Sequence, residues 1–192
     1  MTTLILGLVV FLGAHSVRIV ADGWRAAQLA RLGEGAWKGL YSAASVIGLA
    51  LIIWGYHAAQ AQPIVVWSPP QWLRLVGALL TIPAFVLLAA AYVPGNRIKG
   101  AVGHPMVAGV KVWALAHLLA NGTLAAIVLF GAFLIWAIAD FLSARRRDRA
   151  AGTRYPAGTT ARDAVAVAAG LVAWALFAFL LHRWLIGVQP LA

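Results

Sequence analysis

Five histidines and no cysteine define the metal chemistry open to this chain. His15, Arg18 and Asp22 recur at i, i+3 and i+7, which puts them within about 60° of one another on an α-helix. Two readings of this polar stripe are open. In one, Arg18 extends to the membrane interface and pairs with Asp22 while His15 hydrogen-bonds a neighbouring helix. In the other, His15 is a metal-ligating imidazole, and Arg18 one turn on is placed for a carboxylate such as a haem propionate. His104 and His117 would lie about 20 Å apart on a continuous helix and on nearly opposite faces, so they cannot share one metal. His104 precedes Pro105, as suits the start of a helix, and His117 one turn after Trp113 reads as a hydrogen-bonded packing residue. Lys111 reaches towards Asp140 on an antiparallel neighbour, an ion pair that would remove two unpaired charges from lipid. His57 and His182 fall near helix ends, where water and headgroups satisfy an imidazole.

The elements that carry these side chains follow from composition. The chain has 192 residues and is 63% hydrophobic and 10% charged, well above the roughly 45–50% apolar content of soluble domains. Long apolar runs predict six spans, at about 3–21, 39–58, 73–93, 105–121, 123–142 and 164–186, in one transmembrane domain. No run alternates strictly between apolar and polar residues, which disfavours a β-barrel. The fold class is therefore all-α, a polytopic bundle of about six helices. The absence of cysteine excludes disulfides, thiolate ligands, covalent haem attachment and a cysteine nucleophile. No phosphate loop, Ser/His/Asp set or carboxylate pair stands out.

Charge sets the expected orientation. Fifteen basic against five acidic residues give a net charge of +10, and the basic residues concentrate in the odd-numbered connections. That places those loops in the cytoplasm and makes both termini face outward, with the lipid bilayer as partner and no nucleic acid. Residues 22–38 read as an amphipathic surface helix ended by Gly33 and Gly35. Residues 59–72, with Pro63, Pro69 and Pro70, read as a structured loop on the helix ends. Residues 143–163 read as a flexible Arg-rich cytoplasmic loop, either simply solvated or attracted to anionic lipid.

The segments LGLVVFLGAHSVRIV, WRAAQLARLGEGAWKGLYSAAS and VPGNRIKGAVGHPMVAGVKVWALAHLLANG resemble the NnrU family of bacterial membrane proteins, over residues 1 to about 142. The family is similar to 15-cis-zeta-carotene isomerase, so the resemblance implies non-covalent haem b and a role in nitrate, nitrite and nitric oxide metabolism or in redox-controlled isomerisation of an apolar substrate. It implies His15 and His117 as axial ligands. Arg18 as a propionate partner follows from the spacing argument alone. On straight helices His15 lies about 18 Å from the outer membrane face and His117 about 6 Å, so a shared haem requires tilt or a displaced fourth helix. The segment HPMVAGVKVWALAHLLANG also resembles the methyl-donor-binding helix of isoprenylcysteine carboxyl methyltransferases. That likeness implies His104 as a contact for S-adenosylmethionine. A third expectation is a non-catalytic partner of a respiratory reductase.

Overall fold

A computed structural model describes residues 1–188. Its elements are α1 (Thr2–Val20), α2 (Asp22–Gln60), α3 (Gln71–Tyr92), α4 (Arg97–Val102), α5 (Pro105–Ala120), α6 (Leu124–Ala151), α7 (Thr160–Leu176), a π-helical turn (Phe177–Leu181) and α8 (His182–Ile186). No sheet forms among the described residues; two isolated bridges, Val65 with Thr123 and Asn96 with Thr159, are the only extended pairings among them. α1, α2, α3, α6 and the continuous run from α7 to α8 are long and apolar enough to cross a membrane, so the protein is a helical membrane protein. α5 is the exception. With 16 residues it is only about 24 Å long, short of the roughly 30 Å hydrocarbon core, and α4 precedes it as a separate short turn.

Packing runs along an open row: α2 on α1, α1 on α6, α6 on α5, α5 on α3 and α3 on α7, with a lesser contact between α2 and α6. Helices in lipid lack a hydrophobic drive towards each other and gain by close backbone approach, which small residues permit. Glycine supplies that approach at the tightest crossings. A Cβ on Gly7 would stand 2.6 Å from the Ile52 nitrogen and one on Gly48 2.7 Å from the Phe11 nitrogen, which seats α1 on α2. Gly109 does the same against the Ala84 carbonyl between α5 and α3, as does Gly170 against Val86 between α7 and α3. Around these seams Leu4, Leu8, Ile52, Ala125, Ala126, Leu129 and Phe130 form the apolar core.

α2 begins at Asp22 and is interrupted at Gly33, whose φ of 79° and ψ of 161° are outside the helical region. The amphipathic stretch and the following span are thus one element with a glycine break. The segment between α2 and α3 is pinned: the Gly122 carbonyl accepts from the Val66 and Trp67 amides, at 2.9 and 3.2 Å, and Leu124 N–H donates to the Ile64 carbonyl at 2.8 Å.

At the opposite, arginine-rich end the structure departs from the expected flexible loop over 143–163. α6 continues through Arg145, Arg146, Arg147 and Arg149 to Ala151, where Gly152 closes it in the left-handed region. The remainder, 152–159, is tied down. Thr159 N–H donates to the Gly95 carbonyl at 2.9 Å, and Asp163 accepts from the Arg97 amide at 2.6 Å and from Arg97 Nε at 2.7 Å. Buried Asn96 caps α4, accepting from Lys99 N–H and donating to the Ala90 carbonyl. The composition signalled flexibility, but side-chain to backbone bonds of this kind order a polar segment. A second correction concerns Lys111. Its ammonium lies 3.6 Å from the Phe141 ring centroid, and Asp140 pairs with Arg147 at 4.0 Å instead. A cation over an aromatic face is the alternative to a carboxylate partner in lipid.

Candidate functional site

His15 sits on the last turns of α1, towards the arginine-rich end. Its Nδ1 is 2.7 Å from the Phe11 carbonyl. Its ring stacks on Phe11 with centroids 4.2 Å apart and meets Tyr41 at 5.0 Å and Trp136 edge-on at 5.9 Å. The Trp136 indole nitrogen is buried without a hydrogen-bond partner among the described residues. Arg18 points away from this aromatic nest, more than half exposed, with its Nε 3.9 Å from Asp22.

His117 sits near the end of α5, towards the opposite end of the bundle. Its Nδ1 is 2.8 Å from the Trp113 carbonyl, and its ring lies 4.5 Å from Phe130 and 5.0 Å from Trp113. Trp113 in turn touches Phe133 at 5.6 Å, and Phe133 touches Phe11 at 5.8 Å. The path from His117 to His15 therefore passes through three intervening aromatic rings. The two histidines expected to share one haem do not face a common space.

His104 is engaged elsewhere again. It is the N-cap residue of α5, and its Nε2 lies 2.8 Å from the Asp148 carboxylate, which also accepts from the Tyr155 hydroxyl at 2.8 Å. Gly103, with a φ of 79°, lets this corner close, since a Cβ there would stand 2.8 Å from Arg145 Nη1 and 3.3 Å from the Tyr155 ring. Burial, and then the bond to Asp148, push the Tyr155 hydroxyl above the ordinary phenol range. The folded state thus favours the neutral phenol. Its stabilisation is complete below the unfolded value of about 10 and is lost as pH rises through the raised folded value. Tyr155→Phe is expected to lower the melting temperature near neutrality and to narrow its deficit in strongly alkaline buffer. A deficit that stays constant across an alkaline melting series would show that the hydroxyl bond does not stabilise the corner.

The space that His117 does face is a cavity of about 380 Å³ at the end of the bundle opposite the arginine-rich one. That volume lies within the range of ligand pockets, roughly 300–1,000 Å³. α5 and α6 form its floor with Trp113, His117, Leu129 and Phe130; α2 walls one side, and α3, α7 and α8 the other. Because α2 touches neither α3 nor α7, the gap between these walls follows directly from the open helix row. Most of the lining is apolar or aromatic. The polar minority converges at the rim, where His57 and Gln60 end α2, Arg74 opens α3, Asn121 follows α5 and His182 opens α8.

The hydrogen bonds settle the tautomer of two of these imidazoles. A carbonyl oxygen can only accept, so the His117 Nδ1 carries a hydrogen, and in the neutral imidazole the lone pair is then on Nε2. The same holds for His182, whose Nδ1 is 2.7 Å from the Val188 carbonyl. Backbone-anchored Nδ1 with a bare Nε2 is the arrangement of a metal-ligating histidine. No three His, Cys, Asp or Glu side chains among the described residues converge on one point to hold a bare metal ion. A haem iron, with four ligands from the macrocycle, requires only one or two.

A model of the NnrU protein family matches residues 3–190. The chain belongs to the NnrU family. The match extends through α6, α7 and α8, beyond the resemblance at residues 1–142, so the cavity wall that carries His182 lies within the matched region of this NnrU-family protein. No curated protein and no solved structure matched the chain.

Proposed function

We propose that this NnrU-family protein holds haem b non-covalently in the cavity between α2, α5 and α7, with His117 as an axial ligand. The observation that carries this reading is the His117 imidazole itself: Nδ1 is anchored on the Trp113 carbonyl, and Nε2 has no hydrogen-bond partner among the described residues, in an apolar, aromatic-walled cavity. The donor set suits the group. Arg74 in the same lining supplies a guanidinium for a propionate, and Phe130 and Trp113 fix the plane of the imidazole. Bound haem would supply a redox-active iron able to accept one electron and to bind small ligands. The protein's own contribution is to orient that iron and keep it in a low-dielectric, largely dry setting, which tunes its potential. With the family's name this supports a role in nitrogen-oxide metabolism or in redox-controlled isomerisation of an apolar, membrane-dissolved substrate, for which the open side of the cavity provides access.

The test is an absorption spectrum of the detergent-purified protein, expressed with ample haem, air-oxidised and then dithionite-reduced, with a pyridine haemochrome assay. A stoichiometric b-type spectrum is expected. A monodisperse, colourless protein that takes up no added haem would overturn the proposal.

A further inference from the structure

We infer that His182 is the second axial ligand, so that haem bridges α5 and α8 through His117 and His182. This rests on the reading that the cavity holds haem, and four observations on α7 and α8 carry it further. First, His182 and His117 line the same cavity, whose lining does not include His15. Second, His182 and His117 each have Nδ1 committed to a backbone carbonyl and no hydrogen-bond partner at Nε2 among the described residues, whereas His57, the third imidazole in the lining, has no hydrogen bond fixing its ring among them.

Third, the element that delivers His182 is irregular where it matters. On a straight α-helix a residue eight positions after Trp174 would have rotated about 80° away from it. The π-helical turn Phe177–Leu181 widens the helix just before His182 and returns the imidazole to the face that carries Trp174, Phe177 and Ala178. Single π turns are costly and concentrate at functional sites. The turn is anchored from its N-terminal side by the Trp174 indole N–H, which donates to the Thr81 hydroxyl at 2.8 Å.

Fourth, α8 packs against no other helix among the described residues and touches only the π turn that precedes it. Its cavity-facing side, with His182 and Ile186, thus lacks a protein partner across the gap from α5. A group held between His117 and His182 would fill that place and fix α8 to the bundle.

The experiment is electron paramagnetic resonance and absorption spectroscopy of the ferric, haem-loaded full chain, comparing the wild type with His182→Ala, His182→Met and His57→Ala. The wild type is expected to be low-spin with two imidazoles. His182→Ala is expected to keep haem through His117 but become high-spin, and added imidazole should restore the low-spin signal. His182→Met, which retains a ligand, should remain low-spin with a raised midpoint potential. His57→Ala should match the wild type. A wild type that is high-spin, an unaltered low-spin signal in His182→Ala, or conversion to high-spin in His57→Ala instead would each overturn the assignment of His182 while leaving haem binding intact. A wild type that binds no haem would overturn the underlying reading and this inference together.

Discussion

His117→Ala is expected to purify as a folded protein that has lost most of its haem, because His182 stands on α8, which packs against no other helix among the described residues, while His15→Ala made in parallel keeps its haem. Even loss of a residue that merely orients a metal ligand typically weakens metal binding about 10–100-fold, so removing the ligand should cost at least that much. The fold should survive. His117 is only half-buried at the edge of the cavity, and the Trp113 carbonyl that it engages is already in the α5 helix. His15 should tolerate replacement because its ring packs on Phe11, Tyr41 and Trp136 at the arginine-rich end, beyond Phe133 and Trp113 from the cavity. Haem-to-protein ratios from the haemochrome assay, with size-exclusion profiles to confirm folding, decide the matter. Loss of haem from a folded His15→Ala protein would place the cofactor at the other end of the bundle.

The largest expected loss of stability follows from one methyl group at Gly122. A Cβ there would collide with the Trp67 carbonyl, and the Gly122 carbonyl is the acceptor for both Val66 and Trp67. Gly122→Ala must therefore push the segment between α2 and α3 off the start of α6 and strain both hydrogen bonds. Overpacking of this kind costs about 1–3 kcal/mol, and the strained bonds add about 1 kcal/mol. Gly131 on α6 is the matched control, because a Cβ there meets nothing within 4 Å. Gly131→Ala removes a helix-interior glycine and should change stability by no more than about 1 kcal/mol, in the favourable direction. Thermal unfolding in detergent, followed by size-exclusion fluorescence, would expose the contrast. Equal melting temperatures for the two variants would mean that the segment does not lean on Gly122.

The helical class was legible because long apolar runs are a strong signal, and five of the six runs fall in helices long and apolar enough to cross a membrane, while the run at 105–121 forms only the short α5. Also legible was the His104–Pro105 helix start, which the structure places at the head of α5. The Arg18–Asp22 pairing was legible too, since a 3.6-residue period determines which side chains meet on one helix. Contacts between helices were harder to read. The distance from Lys111 to Asp140 depends on helix rotation, and the Phe141 ring next to Asp140 intercepts the ammonium. The order imposed on 143–163 depends on Asp163 finding a partner on α4 and on Tyr155 finding Asp148 on α6 and His104 at the head of α5, which composition does not encode.

The cavity shows both sides of this limit. His57, Arg74, His117 and His182 lie at one end of the bundle because α2 ends there, α3 starts there, and α5 and α8 finish there, which counting spans alone supplies. Their convergence on a shared gap required knowing that α2 stays clear of α3 and α7. The π turn that aims His182 has no sequence signature in an otherwise regular apolar run.

The glycine seam between α1 and α2 bears on how the protein is made. Every close approach in that pair, at Gly7, Gly48 and Gly55, falls within the first 60 residues, so the hairpin can be complete before the rest of the chain exists. Its next partner, α6, ends at Ala151. At synthesis rates of about 5–20 residues per second, the hairpin waits roughly 5–20 s in the bilayer with Leu4, Leu8 and Ile52 facing acyl chains. When α6 arrives it displaces those lipids and brings α5 with it, so the floor of the cavity is laid down before α7 and α8 emerge to close its second wall. The wall formed by α7 and α8 is therefore added to a floor that already stands.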